Sequence, residues 1–152
     1  MRAGMTWQLI YQDLKPANLL ISSQDRVTVI DLGGCQLLNL DSGQKLLPGA
    51  ATAGYCPPET EQPYNLLTPA ADVYTIGANL YELLTGKSPV EFLAPGLGAQ
   101  VRAAQLDLKQ LNGACSPALK ELIQRCLDAS PANRVQDARS LQQEMNAILR
   151  AM

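Results

Sequence analysis

Tyr11-Gln12-Asp13-Leu14-Lys15-Pro16-Ala17-Asn18, running into the apolar Leu19-Leu20-Ile21, is the stretch from which the rest of the chain can be read. An acid, a base two residues on, a proline and an amide five residues after the acid fit no regular period. Pro16 has no N–H to give a helix or a ladder, so the segment reads as a loop entering a short strand. A carboxylate, an ammonium and a carboxamide at fixed offsets suit the joint handling of a proton, a phosphate and a metal ion.

The flanks are consistent with that loop. Leu19-Leu20-Ile21-Ser22 and Val27-Thr28-Val29-Ile30 are β-rich runs split by Ser23-Gln24-Asp25-Arg26, a hairpin signal. The hairpin ends in Asp31-Leu32-Gly33-Gly34, an acid at a strand end followed by two residues able to take positive φ. Upstream, Trp7, Leu9 and Ile10 fit either a short strand or the frayed end of a helix. Residues 35–56 read as one long loop, because Asn39, Asp41, Ser42, Gly43, Pro48 and Gly49 break every period. A loop of that length inside a compact domain is usually functional.

Helices follow. Thr68-Pro69-Ala70-Ala71-Asp72 is a start signal, with Thr68 as the capping hydroxyl, proline in the first position and an acid in the first turn. Val73, Ile76, Gly77, Leu80, Leu83 and Leu84 at spacings of three and four, with Tyr74, Ala78 and Tyr81 around the circumference, predict a buried helix. Gly86 stops it, with Lys87 beside the end and Pro89 beyond. Residues 90–113 predict one poorly defined helix, roughly Ala99–Gln105, among loops. Ser116-Pro117 caps another, with Leu119, Leu122, Ile123 and Leu127 at helical spacing. A last amphipathic helix, roughly Asp137–Arg150, carries Ala138, Leu141, Met145, Ile148 and Leu149.

The totals set bounds. At 152 residues, 47% hydrophobic and 17% charged, the composition is that of one ordinary globular domain. A net charge of −2 and a pI of about 5.0 make no electrostatic case for nucleic acid or an anionic membrane. No apolar run approaches the roughly eighteen residues of a membrane span. Cys35, Cys56, Cys115 and Cys126 lack zinc-knuckle spacing and the chain has no histidine, so they read as free thiols in a reducing cytoplasm. Without histidine there is no Ser-His or Cys-His pair, and chemistry falls to carboxylates, lysines and amides.

Asp13-Leu14-Lys15-Pro16-Ala17-Asn18 resembles the catalytic loop of eukaryotic-type serine/threonine protein kinases. Four further motifs follow in that family's order. Asp31-Leu32-Gly33, thirteen residues after Asn18, resembles its metal-binding Asp-Phe-Gly, with leucine for the aromatic. Ala51-Thr52-Ala53-Gly54-Tyr55-Cys56-Pro57-Pro58-Glu59 resembles the end of the activation segment. Asp72-Val73-Tyr74-Thr75-Ile76-Gly77 through Pro89 is similar to the central helix of the C-lobe. Cys126-Leu127-Asp128-Ala129-Ser130-Pro131-Ala132-Asn133-Arg134 resembles the closing arginine motif.

The resemblance spans about Leu9 to Leu149 and implies a mainly α (α+β) fold. Residues 1–152 would be a kinase C-lobe with a small β-hairpin at the cleft and a buried central helix. It implies phosphoryl transfer from ATP with Mg²⁺ to a protein substrate. Asp13 would orient the acceptor hydroxyl, Lys15 would neutralise the γ-phosphoryl, and Asn18 and Asp31 would hold Mg²⁺. Thr52 would hydrogen-bond Asp13 and Lys15, Asp72 would accept N–H bonds from the catalytic loop, and Glu59 would pair with Arg134. That pair would be partly buried, so removing either partner should cost about 3–5 kcal/mol.

Two departures matter. The family's His-Arg-Asp stands here as Tyr11-Gln12-Asp13. Tyr11 can take over apolar packing, but neutral Gln12 cannot receive a phosphate on Ser42 or Thr52, so any activity is expected to be independent of loop phosphorylation. No stretch matches a Gly-rich loop, a strand lysine paired with a helix glutamate, or a hinge. The chain alone is therefore expected to be inactive, completed by an N-lobe from an upstream segment or a separate chain. The alternative is a non-catalytic, kinase-derived protein-binding module.

Overall fold

The computed structural model describes residues 6–42, 46, 47, 49, 51–61, 66–93 and 104–152. Among them the chain forms four short strands and three α-helices. The strands come first: β1 (Trp7–Ile10), β2 (Leu19–Ile21), β3 (Val27–Val29) and β4 (Gln36–Asn39). The helices α1 (Ala70–Thr85), α2 (Pro117–Cys126) and α3 (Ala138–Ala151) follow. The result is a small mixed α/β fold.

β2 and β3 form the expected hairpin, antiparallel with Leu20 opposite Thr28. Its turn closes through Ser22, whose N–H reaches the Arg26 carbonyl at 2.9 Å while its Oγ accepts from the Gln24 and Arg26 N–H groups. β1 is a strand and pairs antiparallel with β4, Ile10 opposite Gln36. That corrects the reading of residues 35–56 as unbroken loop. Four residues are too few for a period to register, and β4 exists because β1, far away in sequence, supplies its ladder and buries Leu38 beside Ile10.

α1 is the axis of the core. Val73 packs with Leu122, Cys126, Val135 and Leu141, and Tyr81 packs with Leu111 and Ile123. Leu83 is the exception to its predicted all-round burial, standing 68% exposed. Its N-cap falls on Pro69 rather than on Thr68. The chain is already in the α region at Pro69, so the carbonyl of Thr68, not its hydroxyl, receives the first N–H, from Ala71 at 2.9 Å. Gly86 ends α1 in the left-handed conformation (φ 69°), as its position predicts.

Ser116 caps α2 by accepting from the Leu119 N–H at 3.3 Å. Asp137 caps α3 through the Ser140 N–H at 2.7 Å. Most of the helix expected over Ala99–Gln105 lies outside the described residues, and the described Ala104 and Gln105 are not helical. No helix among the described residues is long and apolar enough to cross a membrane.

Candidate active site

The loop between β1 and β2 has almost no regular structure of its own, so α1 has to hold it. Asp72 does so with both carboxylate oxygens, accepting the N–H of Tyr11 at Oδ2 and of Gln12 at Oδ1, each at 2.8 Å. Burial pushes the Asp72 carboxyl above the usual carboxylate range, against those two N–H bonds, which favour its charge. Two turns further along α1, buried Asn79 donates from Nδ2 to the carbonyls of Leu14 at 3.0 Å and Thr75 at 2.7 Å. The peptides on either side of Asp13 are therefore fixed from one helix. Asn79 lies inside an apolar helical pattern, and no sequence signal marked it.

Asp13 is surrounded by donors. Its Oδ1 accepts from the backbone N–H of Thr52 at 3.0 Å and from the Thr52 hydroxyl. Its Oδ2 accepts from Lys15 Nζ at 3.1 Å and, at longer range, from Asn18 Nδ2 at 3.4 Å. Lys15 Nζ also donates to Thr52 Oγ1 at 2.7 Å, so the three side chains form a closed ring. Burial raises the Asp13 pKa, but the Thr52 and Lys15 hydrogen bonds outweigh it and hold the carboxyl below the usual range. Asp13 and Lys15 keep 22% and 27% of their side-chain surface, so the ring opens to solvent on one side.

Asn18 and Asp31 are brought together by the hairpin ladder, which the Ile30 N–H extends to the Asn18 carbonyl at 2.9 Å. Asn18 is buried, with Nδ2 given to the Asp13 carbonyl at 2.9 Å. Asp31 sits in the left-handed region (φ 63°), and its Oδ1 accepts from the Gly33 N–H at 3.1 Å. The Tyr11 hydroxyl donates to the carbonyls of Ile30 and Asp31, the latter at 2.9 Å. Burial, then the negative charge of Asp31, raises the Tyr11 pKa and keeps that hydroxyl a donor. Tyr11 thus has a polar positioning role beyond the apolar packing its sequence suggested.

The far end of the segment is fixed by Glu59 and Arg134. Their bidentate pair has both N–O distances at 2.7 Å, and the residues are 5% and 4% exposed. Arg134 also donates to the carbonyls of Asp128, Ala129 and Ala70, and its guanidinium lies 4.9 Å above the Tyr74 ring. A buried ion pair is tolerated only when its remaining donors are satisfied in this way.

All eight sequence-predicted residues lie in two places. Asp13, Lys15, Asn18, Asp31 and Thr52, with Asp72 beneath them, surround the loop, and Glu59 and Arg134 brace the segment end. Among the described residues no three His, Cys, Asp or Glu side chains gather as a metal cluster. An acid and an amide carbonyl are nonetheless hard oxygen donors of the kind Mg²⁺ accepts alongside phosphate oxygens and water.

The family model described as protein kinase domain matches residues 6–145. The serine/threonine-protein kinase PknB of Mycolicibacterium smegmatis is 32% identical over 90% of this chain and 22% of its own length. The 3-phosphoinositide-dependent protein kinase 1 of Arabidopsis thaliana is 35% identical over 83% of this chain and 27% of its own. The dual specificity protein kinase shkB of Dictyostelium discoideum is 34% identical over 86% and 21%. The chain thus spans between 21% and 27% of the length of these relatives.

Proposed function

Because the chain belongs to the protein kinase domain family, we propose that it carries the phosphoryl-transfer half of a serine/threonine protein kinase. This half is the C-terminal lobe, acting with ATP and Mg²⁺ on a protein hydroxyl. The observation that carries the reading is the ring of Asp13, Lys15 and Thr52, in which Asp13 is ionised, positioned and partly open to solvent.

A carboxylate has about four acceptor positions, and those of Asp13 are taken by Thr52 twice, Lys15 and Asn18. Lys15, on the longest side chain of the ring, is the member that would move. Moving Nζ toward an incoming γ-phosphoryl would free the Oδ2 acceptor position it occupies for the substrate hydroxyl, while Thr52 keeps Oδ1 in place. Asp13 then orients the hydroxyl and receives its proton. Asn18 and Asp31 would hold Mg²⁺, because the Asn18 amide nitrogen is engaged by Asp13 and its carbonyl oxygen is the atom with ligand chemistry. When bound, Mg²⁺ neutralises charge on the phosphates.

Nothing in the 152 residues matches the Gly-rich loop, the paired strand lysine or the hinge, which position the nucleotide. Phosphoryl transfer depends on positioning and electrostatics, so residues 1–152 by themselves should transfer no phosphate. A nucleotide lobe from an upstream segment or a separate chain would complete the cleft. The hairpin supports that reading, since Leu20, Ile21, Val27 and Leu32 are 55%, 68%, 60% and 64% exposed.

The test is transfer from γ-labelled Mg·ATP to a generic basic protein. Residues 1–152 are compared with the same residues joined to the nucleotide lobe of PknB. We expect no transfer by the chain alone and transfer by the joined protein, abolished by Asp13→Asn or Asp31→Asn. Transfer by the chain alone, lost in Asp31→Asn, would refute the need for a second lobe. A joined protein that folds and binds ATP yet transfers nothing would favour a kinase-derived binding module, a reading the exposed hairpin face also suits.

A further inference from the structure

Gln12 is a polar residue only 4% exposed, with its backbone in the left-handed region (φ 69°). A long side chain in that conformation is strained and persists only where its surroundings hold it. Both ends of its amide are used. Nε2 donates to the Gly34 carbonyl at 2.7 Å, and Oε1 accepts from the Gly49 N–H at 2.8 Å. Its own N–H is bound to Asp72. One side chain therefore ties the catalytic loop to the turn after Asp31 and to the middle of the activation segment.

The backbone groups it meets have opposite polarity. A carbonyl needs a donor and an N–H needs an acceptor, so the position requires a side chain that supplies both. Arginine or lysine would satisfy Gly34 and set a cation against the Gly49 N–H. Glutamate would satisfy Gly49 and set an anion against the Gly34 carbonyl. A second glutamine works alongside: Gln36 on β4 donates from Nε2 to the Leu47 carbonyl at 3.1 Å. Leu46 accepts from the Leu67 N–H at 2.7 Å, so the neighbouring residues Leu46 and Leu47 are each tied through their carbonyls. A Cβ on Gly49 would lie 3.3 Å from Gln12 Oε1 and 3.4 Å from Gln36 Nε2, so the two amides close on a residue with no side chain.

We propose that Gln12, supported by Gln36, is a neutral latch: a positioning residue that holds the activation segment docked beside Asp13 in its unmodified state. Both bonds its side chain makes are to uncharged main-chain groups. The docked segment therefore needs no phosphate, and Thr52 is delivered to Asp13 by the fold alone. Its meaning for catalysis rests on the kinase reading; the latch itself does not.

Amide exchange followed by NMR on residues 1–152, with no nucleotide or substrate present, tests the latch separately from that reading. In the wild type the Gly49 amide should exchange at least about tenfold slower than an unprotected amide, the protection expected of a hydrogen bond to a buried partner. Gln12→Met keeps the volume and removes both polar ends, so Gly49 protection should fall by about tenfold. Gln12→Glu keeps the acceptor, so Gly49 should stay protected. The Cys35 amide, bound to the Leu32 carbonyl at 3.1 Å in the turn the donor end supports, should exchange faster. An unprotected Gly49 in the wild type, wild-type protection in Gln12→Met, or loss of Gly49 protection in Gln12→Glu would each overturn the proposal. If Gln12→Met fails to fold, the wild-type and Gln12→Glu results decide it.

Discussion

Thr52 stabilises the charge on Asp13. Its N–H and hydroxyl both stabilise the ionised carboxylate, and Lys15 reinforces them. A depressed acid pKa contributes stability that is present above the ordinary value of 3.8 and is lost as pH falls through the folded value. Thr52→Val removes the hydroxyl bond, so the Asp13 titration midpoint should move up. The variant should be less stable than wild type at neutral pH by about 1.5–3 kcal/mol, the usual worth of a hydrogen bond to a charged group. The difference should vanish in acid, where Asp13 is protonated in both. Urea unfolding at a series of pH values, with the Asp13 carboxyl followed by NMR, checks the shift and its sign. At this scale the offsets of Asp13, Lys15 and Asn18 identify the loop from sequence alone. The roles of Gln12, Tyr11 and Asn79 do not, because a side chain's use depends on which backbone groups the folded chain turns toward it.

At the scale of elements, α1 is both the core and the anchor of the site. Asp72→Asn would turn an N–H₂ group toward one of the two N–H donors of the loop. It should cost about 1.5–3 kcal/mol and speed amide exchange at Tyr11 and Gln12, with α2 and α3 unaffected. Gly77 is where α1 meets α2: a Cβ there would lie 2.8 Å from the Cys126 Cβ. Gly77→Ala should destabilise by about 1–3 kcal/mol in denaturant unfolding, although alanine is the better helix former. Arg134→Met leaves Glu59 charged and buried and should cost about 3–5 kcal/mol. Replacing both, Glu59→Leu with Arg134→Met, should recover much of that loss. The three helices were legible because their apolar spacing is local, as are the Ser116 cap of α2 and the Gly86 stop of α1. β4 was not, since its partner is β1, and neither was the true cap of α1, where Pro69 already takes the helical conformation.

At the scale of the molecule, the order of five motifs predicted the kinase family, and a family match over residues 6–145 bears it out. Composition could only bound the function, removing histidine chemistry and an electrostatic case for nucleic acid. The central proposal is that Asn18, bonded through its carbonyl to the Ile30 N–H, and Asp31, the next residue after Ile30, hold one metal–nucleotide site. Mn²⁺ can stand in for Mg²⁺ and broadens nearby NMR signals even when it binds weakly, so the claim does not wait on a complete enzyme. On titrating residues 1–152 with Mn·ATP, the amide signals of Asn18, Asp31 and Gly33 should broaden first, and Asp31→Asn should abolish the effect. Broadening that begins at other acidic residues, or that persists in Asp31→Asn, would contradict the account.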